Sequence, residues 1–136
     1  MFTIDYIFDS APAQDSSDPL GSITIRDARK ALTLANVFLD SAFVALIDGL
    51  REVRACGHSV VEMPEEPDAL RLDPGPGGTI LIAYQGHRVV APGPDALESA
   101  LRRITGSFLN DMAQFKDFER NWVLEPVRRF CASEAE

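Results

Sequence analysis

The sequence predicts an α+β fold, and three observations predict it. Residues 2–8, 20–26 and 79–90 alternate apolar with polar or β-branched side chains, the period of a half-buried strand. Residues 39–53 and 97–112 instead repeat apolar side chains at steps of three and four, the period of a helix with one buried stripe. No repeat and no linker divides the 136 residues, a length suited to one domain. The expectation is a single α+β domain over residues 1–136. Its antiparallel or mixed sheet of about five to six strands packs against two main helices, in the order ββ-α-ββββ-α(α).

The first strand, residues 2–8, puts Phe2, Ile4, Tyr6 and Phe8 on one face. Residues 9–19 hold prolines, serines and aspartates and read as a loop. Residues 20–26 alternate again and should pair with the first strand. Residues 27–35 are ambiguous, because Ala31-Leu32-Thr33-Leu34 suits a short strand or the start of the next helix. That helix begins near Asn36 or Asp40, either of which can cap it, and runs to Cys56. Leu39, Phe43, Leu46, Leu50 and Val53 form its stripe, with Asp48, Arg51, Glu52 and Arg54 off it, and Gly57 stops it.

Short strands follow at 59–63 and 69–72, joined by the acidic connection Pro64-Glu65-Glu66-Pro67. Residues 79–90 form a hairpin about Gln85-Gly86, with Ile82 facing Val89 and Leu81 facing Val90. Both faces are apolar there, which suggests a central position, or one face against helices and the other partly covered. After Pro92-Gly93-Pro94, Asp95 and Glu98 have the form of a capping box. Leu97, Leu101, Ile104, Phe108 and Met112 make the second stripe, and Phe115, Phe118 and Trp122 keep its spacing until Pro126 kinks or restarts the helix. Apolar residues running on to Phe130 and Cys131 suggest a homodimer contact through residues 115–131.

Candidate chemistry is sparse. Gly75-Pro76-Gly77-Gly78 opens a strand and lacks the lysine of a phosphate loop, so it reads as a turn. Cys56, His58 and His87 match no zinc spacing, and Cys56 reads as a small buried residue. Two cysteines are too few for a disulfide framework. The expectation is no catalytic, metal or cofactor site. The N-terminus does not read as a secretory signal, and no apolar stretch is long enough to span a bilayer, so a cytoplasmic location is expected.

Charge is more informative. Thirteen Lys and Arg against 21 Asp and Glu leave a net −8, which argues against nucleic acid as partner. The excess is lopsided: residues 1–73 hold 13 acids and 6 bases, residues 74–136 hold 8 and 7. Acids gather on the predicted loops, among them Asp15, Asp18, Glu62, Glu65, Glu66 and Asp68. That surface would steer a basic protein partner.

In this arrangement the chain resembles small bacterial immunity proteins of polymorphic and contact-dependent toxin systems. The segments that carry the resemblance are Leu20-Gly21-Ser22-Ile23-Thr24-Ile25, Leu46-Ile47-Asp48-Gly49-Leu50, and the hairpin leading into Asp95-Ala96-Leu97. The resemblance implies a non-enzymatic protein that binds and occludes a cognate toxin. More distantly, the chain resembles acidic secretion chaperones, dimers that hold an effector protein, although those usually begin with a helix.

Overall fold

The computed structural model describes residues 2–8, 19–62, 69–114 and 122–132. β1 (Thr3–Phe8), β2 (Leu20–Arg26) and β3 (Ala31–Phe38) form one antiparallel sheet in that order. β4 (Ser59–Glu62), β5 (Ala69–Pro74), β6 (Ile80–Tyr84) and β7 (His87–Ala91) form a second, also in sequence order. α1 (Leu39–Cys56) joins the sheets, and α2 (Pro94–Met112) and α3 (Glu125–Ala132) follow them. The α+β class is therefore observed, with seven strands in two sheets among the described residues rather than five to six in one.

The ambiguous stretch resolves as strand from Ala31, because Leu32 and Leu34 pair with Ile25 and Ile23 and share their buried face. β3 runs to Phe38, so α1 starts later than a cap at Asn36 would allow. Asn36 lies in the strand at φ 56°, and neither it nor Asp40 caps the helix. Asp40 sits inside the first turn, buried, with its carboxylate accepting the Ser41 N–H at 2.8 Å. At the other end Gly57 takes the left-handed conformation at φ 88°, as the sequence predicts, and its N–H closes on the Val53 carbonyl.

α1 is the element both sheets share. It packs on β2 and β3 of the first sheet and β4 and β5 of the second, and α2 and α3 lie against it. All five stripe residues, Leu39, Phe43, Leu46, Leu50 and Val53, are buried. The α2 stripe from Leu97 to Met112 is buried too, and the buried apolar side chains form one continuous cluster. Phe43 and Phe108 meet at 5.0 Å between ring centroids, with Tyr6 edge-on to both, so β1, α1 and α2 close on an aromatic cluster. The Tyr6 hydroxyl donates to Asp111. Burial, and then the Asp111 charge, raise its pKa well above the ordinary tyrosine value.

Other expectations need correction. Gly93, not Asp95, precedes the first turn of α2, with Pro94 opening it, so there is no capping box. Asp95 and Glu98 instead receive Arg54 from α1, at 2.8 and 3.0 Å. α2 ends at Met112, Phe115 and Phe118 lie outside the described residues, and Pro126 restarts the chain as α3. Leu124, Val127 and Phe130 are buried against the chain's own helices. Cys56 is exposed at the end of α1, not buried.

The hairpin has the predicted register, Ile82 with Val89 and Leu81 with Val90. Gln85 and Gly86 are both at positive φ, the form whose twist suits a two-residue loop. β7 is an edge strand rather than a central one, with Val89 buried and Val90 partly exposed, which agrees with the second alternative of one packed and one partly covered face. Its neighbour across the seam is β3. Asp27, in the β2–β3 turn, bridges that seam. Its Oδ1 accepts the N–H groups of Arg29 and Lys30, both at 2.7 Å, and its Oδ2 accepts the Val90 N–H at 2.8 Å.

Those three donors, the Arg29 N–H foremost, together with the Lys30 charge outweigh the opposing effect of burial and hold the Asp27 pKa below its usual 3.8. Because the folded value is the lower one, this stabilisation is complete above the unfolded pKa of about 4 and is lost as pH falls through the folded value. Hydrogen exchange reads this directly. Asp27→Ala is expected to lower the protection factor of the Val90 amide at least about tenfold while the β6-paired Val89 amide changes less. In the unmodified chain the Val90 protection should fall selectively on acidification below about pH 4. Equal protection of Val90 in both proteins would show that Asp27 does not hold the seam.

Candidate functional site

α1 buries one side and turns the other to solvent, so its polar residues are placed by its core stripe. Asp48 and Glu52 are four residues apart and project from the same side of the helix. Gly57 and His58 then turn the chain back, and β4 runs along α1. The approach is close because position 49 has no side chain: a Cβ there would come within 2.8 Å of Val61 Cγ2. Gly49 thus lets β4 lie beside the two acids.

Between α1 and β4 is a pocket of about 230 Å³, lined by Asp48, Glu52, Ser59, Ala45, Val60 and neighbouring residues. Ser59 is only 1% exposed. Its Oγ has no hydrogen-bond partner among the described residues. Arg51 approaches Asp48 at 3.7 Å, but the pair is 59% and 66% exposed, where such contacts contribute little. Glu52 forms no ion pair among the described residues.

Two carboxylates and a hydroxyl at one recess are acceptors, and their complement is a cationic donor. The half-exposed Val60 and the Ala45 methyl supply apolar surface of the kind that the stem of a lysine or arginine covers.

The acids singled out in the sequence fare unevenly. Glu62 ends β4, pairing through its backbone with Ala69, just beyond the pocket. Asp15, Asp18, Glu65, Glu66 and Asp68 lie outside the described residues, in the stretches that join β1 to β2 and β4 to β5. Asp48, Glu52 and Ser59 were missed. Their signal was two acids at helical spacing around a glycine, and only tertiary structure shows that a strand end closes over them.

Cys56 and His58 flank Gly57 at the end of α1, whereas His87 opens β7, separated from β4 by two strands. The three are not brought together. Among the described residues no group of three or more His, Cys, Asp or Glu side chains is arranged to hold a metal ion. No helix among them is long and apolar enough to cross a membrane. Comparison with protein-family models, with curated proteins and with solved structures returned no match to this chain.

A buried hydroxyl without a partner is a net cost to folding, of about 1–3 kcal/mol for its lost hydration. Ser59→Ala is therefore expected to raise stability by about 1 kcal/mol in urea denaturation, with the slope unchanged. A loss of similar size would reveal a stabilising partner for the hydroxyl and remove it as an open acceptor.

Proposed function

We propose that this chain is a non-enzymatic binding protein whose α1–β4 pocket receives a lysine or arginine side chain of a protein partner. The observation that carries the reading is the buried, unpartnered Ser59 Oγ beside Asp48 and Glu52. Ser59 Oγ is closed to solvent in the free chain, so an incoming donor reaches it only as the pocket opens to admit that donor. The acids Glu62, Glu65, Glu66 and Asp68 follow the pocket directly in sequence. Their charges add to the net negative charge of the chain, which speeds encounter with a basic partner. Asp15 and Asp18 add to the negative field from the β1–β2 connection.

Within this class we favour an immunity protein that binds and occludes a cognate bacterial toxin in the cytoplasm. A basic substrate cleft, such as that of a nuclease, offers the complementary charge. The alternative, an acidic secretion chaperone, calls for a dimer face. Leu124, Val127 and Phe130, which would have supplied part of it, are spent on the chain's own core. The immunity reading needs no homodimer.

The test begins with capture of the partner from the native host and its identification. Its association is then measured at several salt concentrations. Glu52→Lys is expected to slow association about tenfold at low salt, and reversal of Glu65, Glu66 and Asp68 to Lys should slow it further. Circular dichroism should be unchanged, since exposed charges contribute little to stability. Ser59→Ala should act on dissociation instead. An association rate indifferent to salt and to Glu52→Lys would exclude the acidic docking surface. Turnover of a small molecule with no protein partner would exclude the binding reading itself.

A further inference from the structure

A second site lies at the seam, where the charge is of the opposite sign. Seven described arginines, at 51, 54, 71, 102, 103, 128 and 129, have carboxylate partners within 4.0 Å. The other described bases have none among the described residues: Arg26 ends β2, Arg29 and Lys30 lie in the β2–β3 turn, and Arg88 is the second residue of β7, so all four lie at the turn ends of the two hairpins that meet at the seam. In a chain of net −8, the described bases with no carboxylate within 4.0 Å are gathered in one place, where Asp27 attracts Lys30 from a longer distance.

The turns enclose a recess of about 570 Å³ lined by Lys30, Ala31, Gly86, His87 and Arg88. The nearby acid, Asp27, spends its carboxylate on three backbone N–H groups, one of them across the seam. The same bonds fix the two turns relative to each other, so the recess is held open before any ligand arrives. β7 adds a backbone donor. In a two-residue hairpin Tyr84 and His87 form the hydrogen-bonded pair, so the N–H groups of Arg88 and Val90 point away from β6. The Val90 N–H is taken by Asp27. The Arg88 N–H is directed to the same free edge of the sheet.

We infer that this recess binds a phosphoryl dianion. Lys30 and Arg88 line the recess, and with Arg26 and Arg29 they set four positive charges against the one negative charge of Asp27, an excess that suits a dianion; His87 and the Arg88 N–H supply further donors for its three acceptor oxygens. A single carboxylate would leave one of the cations unmatched. A long polyanion is disfavoured because the −8 of the whole chain repels it beyond the recess. The inference is independent of the acidic pocket, which lies at the opposite edge of the four-stranded sheet.

Amide NMR spectra of the full chain test it, with potassium phosphate added against potassium chloride of equal ionic strength. At about pH 8 the probe is dianionic. Saturable shifts of Lys30, Ala31, His87 and Arg88 are expected. Lys30→Ala and Arg88→Ala should each weaken binding at least about tenfold. Arg129→Ala, a distant exposed control, should change nothing. Lys30 is an exposed turn residue, so its variant keeps the test decisive if Arg88→Ala does not fold.

Two further probes identify the source of the phosphoryl group. Binding of a phosphoserine peptide much more tightly than phosphate assigns a phosphorylated protein, and co-sedimentation with phosphatidic acid vesicles assigns a lipid headgroup. Tightest binding of phosphate itself assigns a free small molecule. Shifts that do not saturate, or equal losses in Lys30→Ala and Arg129→Ala, would overturn the inference.

Discussion

The burial of α1 by both sheets is the constraint on which the rest of this structure depends. A helix packed on a single sheet has one set of neighbours to fix its rotation, whereas α1 has two. α1 has Phe43, Leu46, Ile47 and Leu50 buried together, between β2 and β3 on one hand and β4 and β5 on the other. Each such side chain contributes about 1.5–3 kcal/mol on leaving water, so a rotated helix would lose several of these terms at once. With the rotation set, Asp48 and Glu52 have a single place to go. Gly49, between them, removes the Cβ that would keep β4 away. The acidic pocket is thus a product of core packing.

The same economy governs the charges. Arg54 ties α1 to α2 through Asp95 and Glu98, and Arg102 reaches Glu98 from within α2. Its guanidinium also covers the Phe130 ring at 4.6 Å and donates to the Phe130 carbonyl, which docks α3. Bases used for assembly are neutralised by acids of the same helical layer. What is left over separates in space, with acceptors at the β4 edge and donors at the β7 edge of one four-stranded sheet. Asp27 keeps the second of these edges from opening away from β3.

Much of this was legible in the sequence, and the reasons are local. The 80–91 hairpin was readable to its register because a strict period of two surrounds a turn with a glycine. Both helical stripes were readable because five apolar residues each recur at one spacing. Ala31–Leu34 was not, since two leucines two apart suit either period, and pairing with Ile23 and Ile25 decides it. The apparent capping box at Asp95 failed because its acids answer to Arg54, a residue 41 positions away. The split into two sheets was hidden too, because it depends on where β3 meets β7. The excess of acid in the first half pointed to a charged surface. The recess that holds Asp48 and Glu52 required β4 to return along α1, and no pattern within one element records that.

The most direct test of the central claim, that the α1–β4 pocket accepts a basic side chain, is a titration of the isolated chain with a short arginine- or lysine-containing peptide. Amide shifts would be followed along α1 and β4. The account predicts saturable shifts at Asp48, Glu52, Ser59 and Val60, weakened by Glu52→Gln and absent at the β7 edge. Shifts spread over all exposed acids without saturation would mean that the surface attracts cations only by its net charge. They would contradict the pocket as a site.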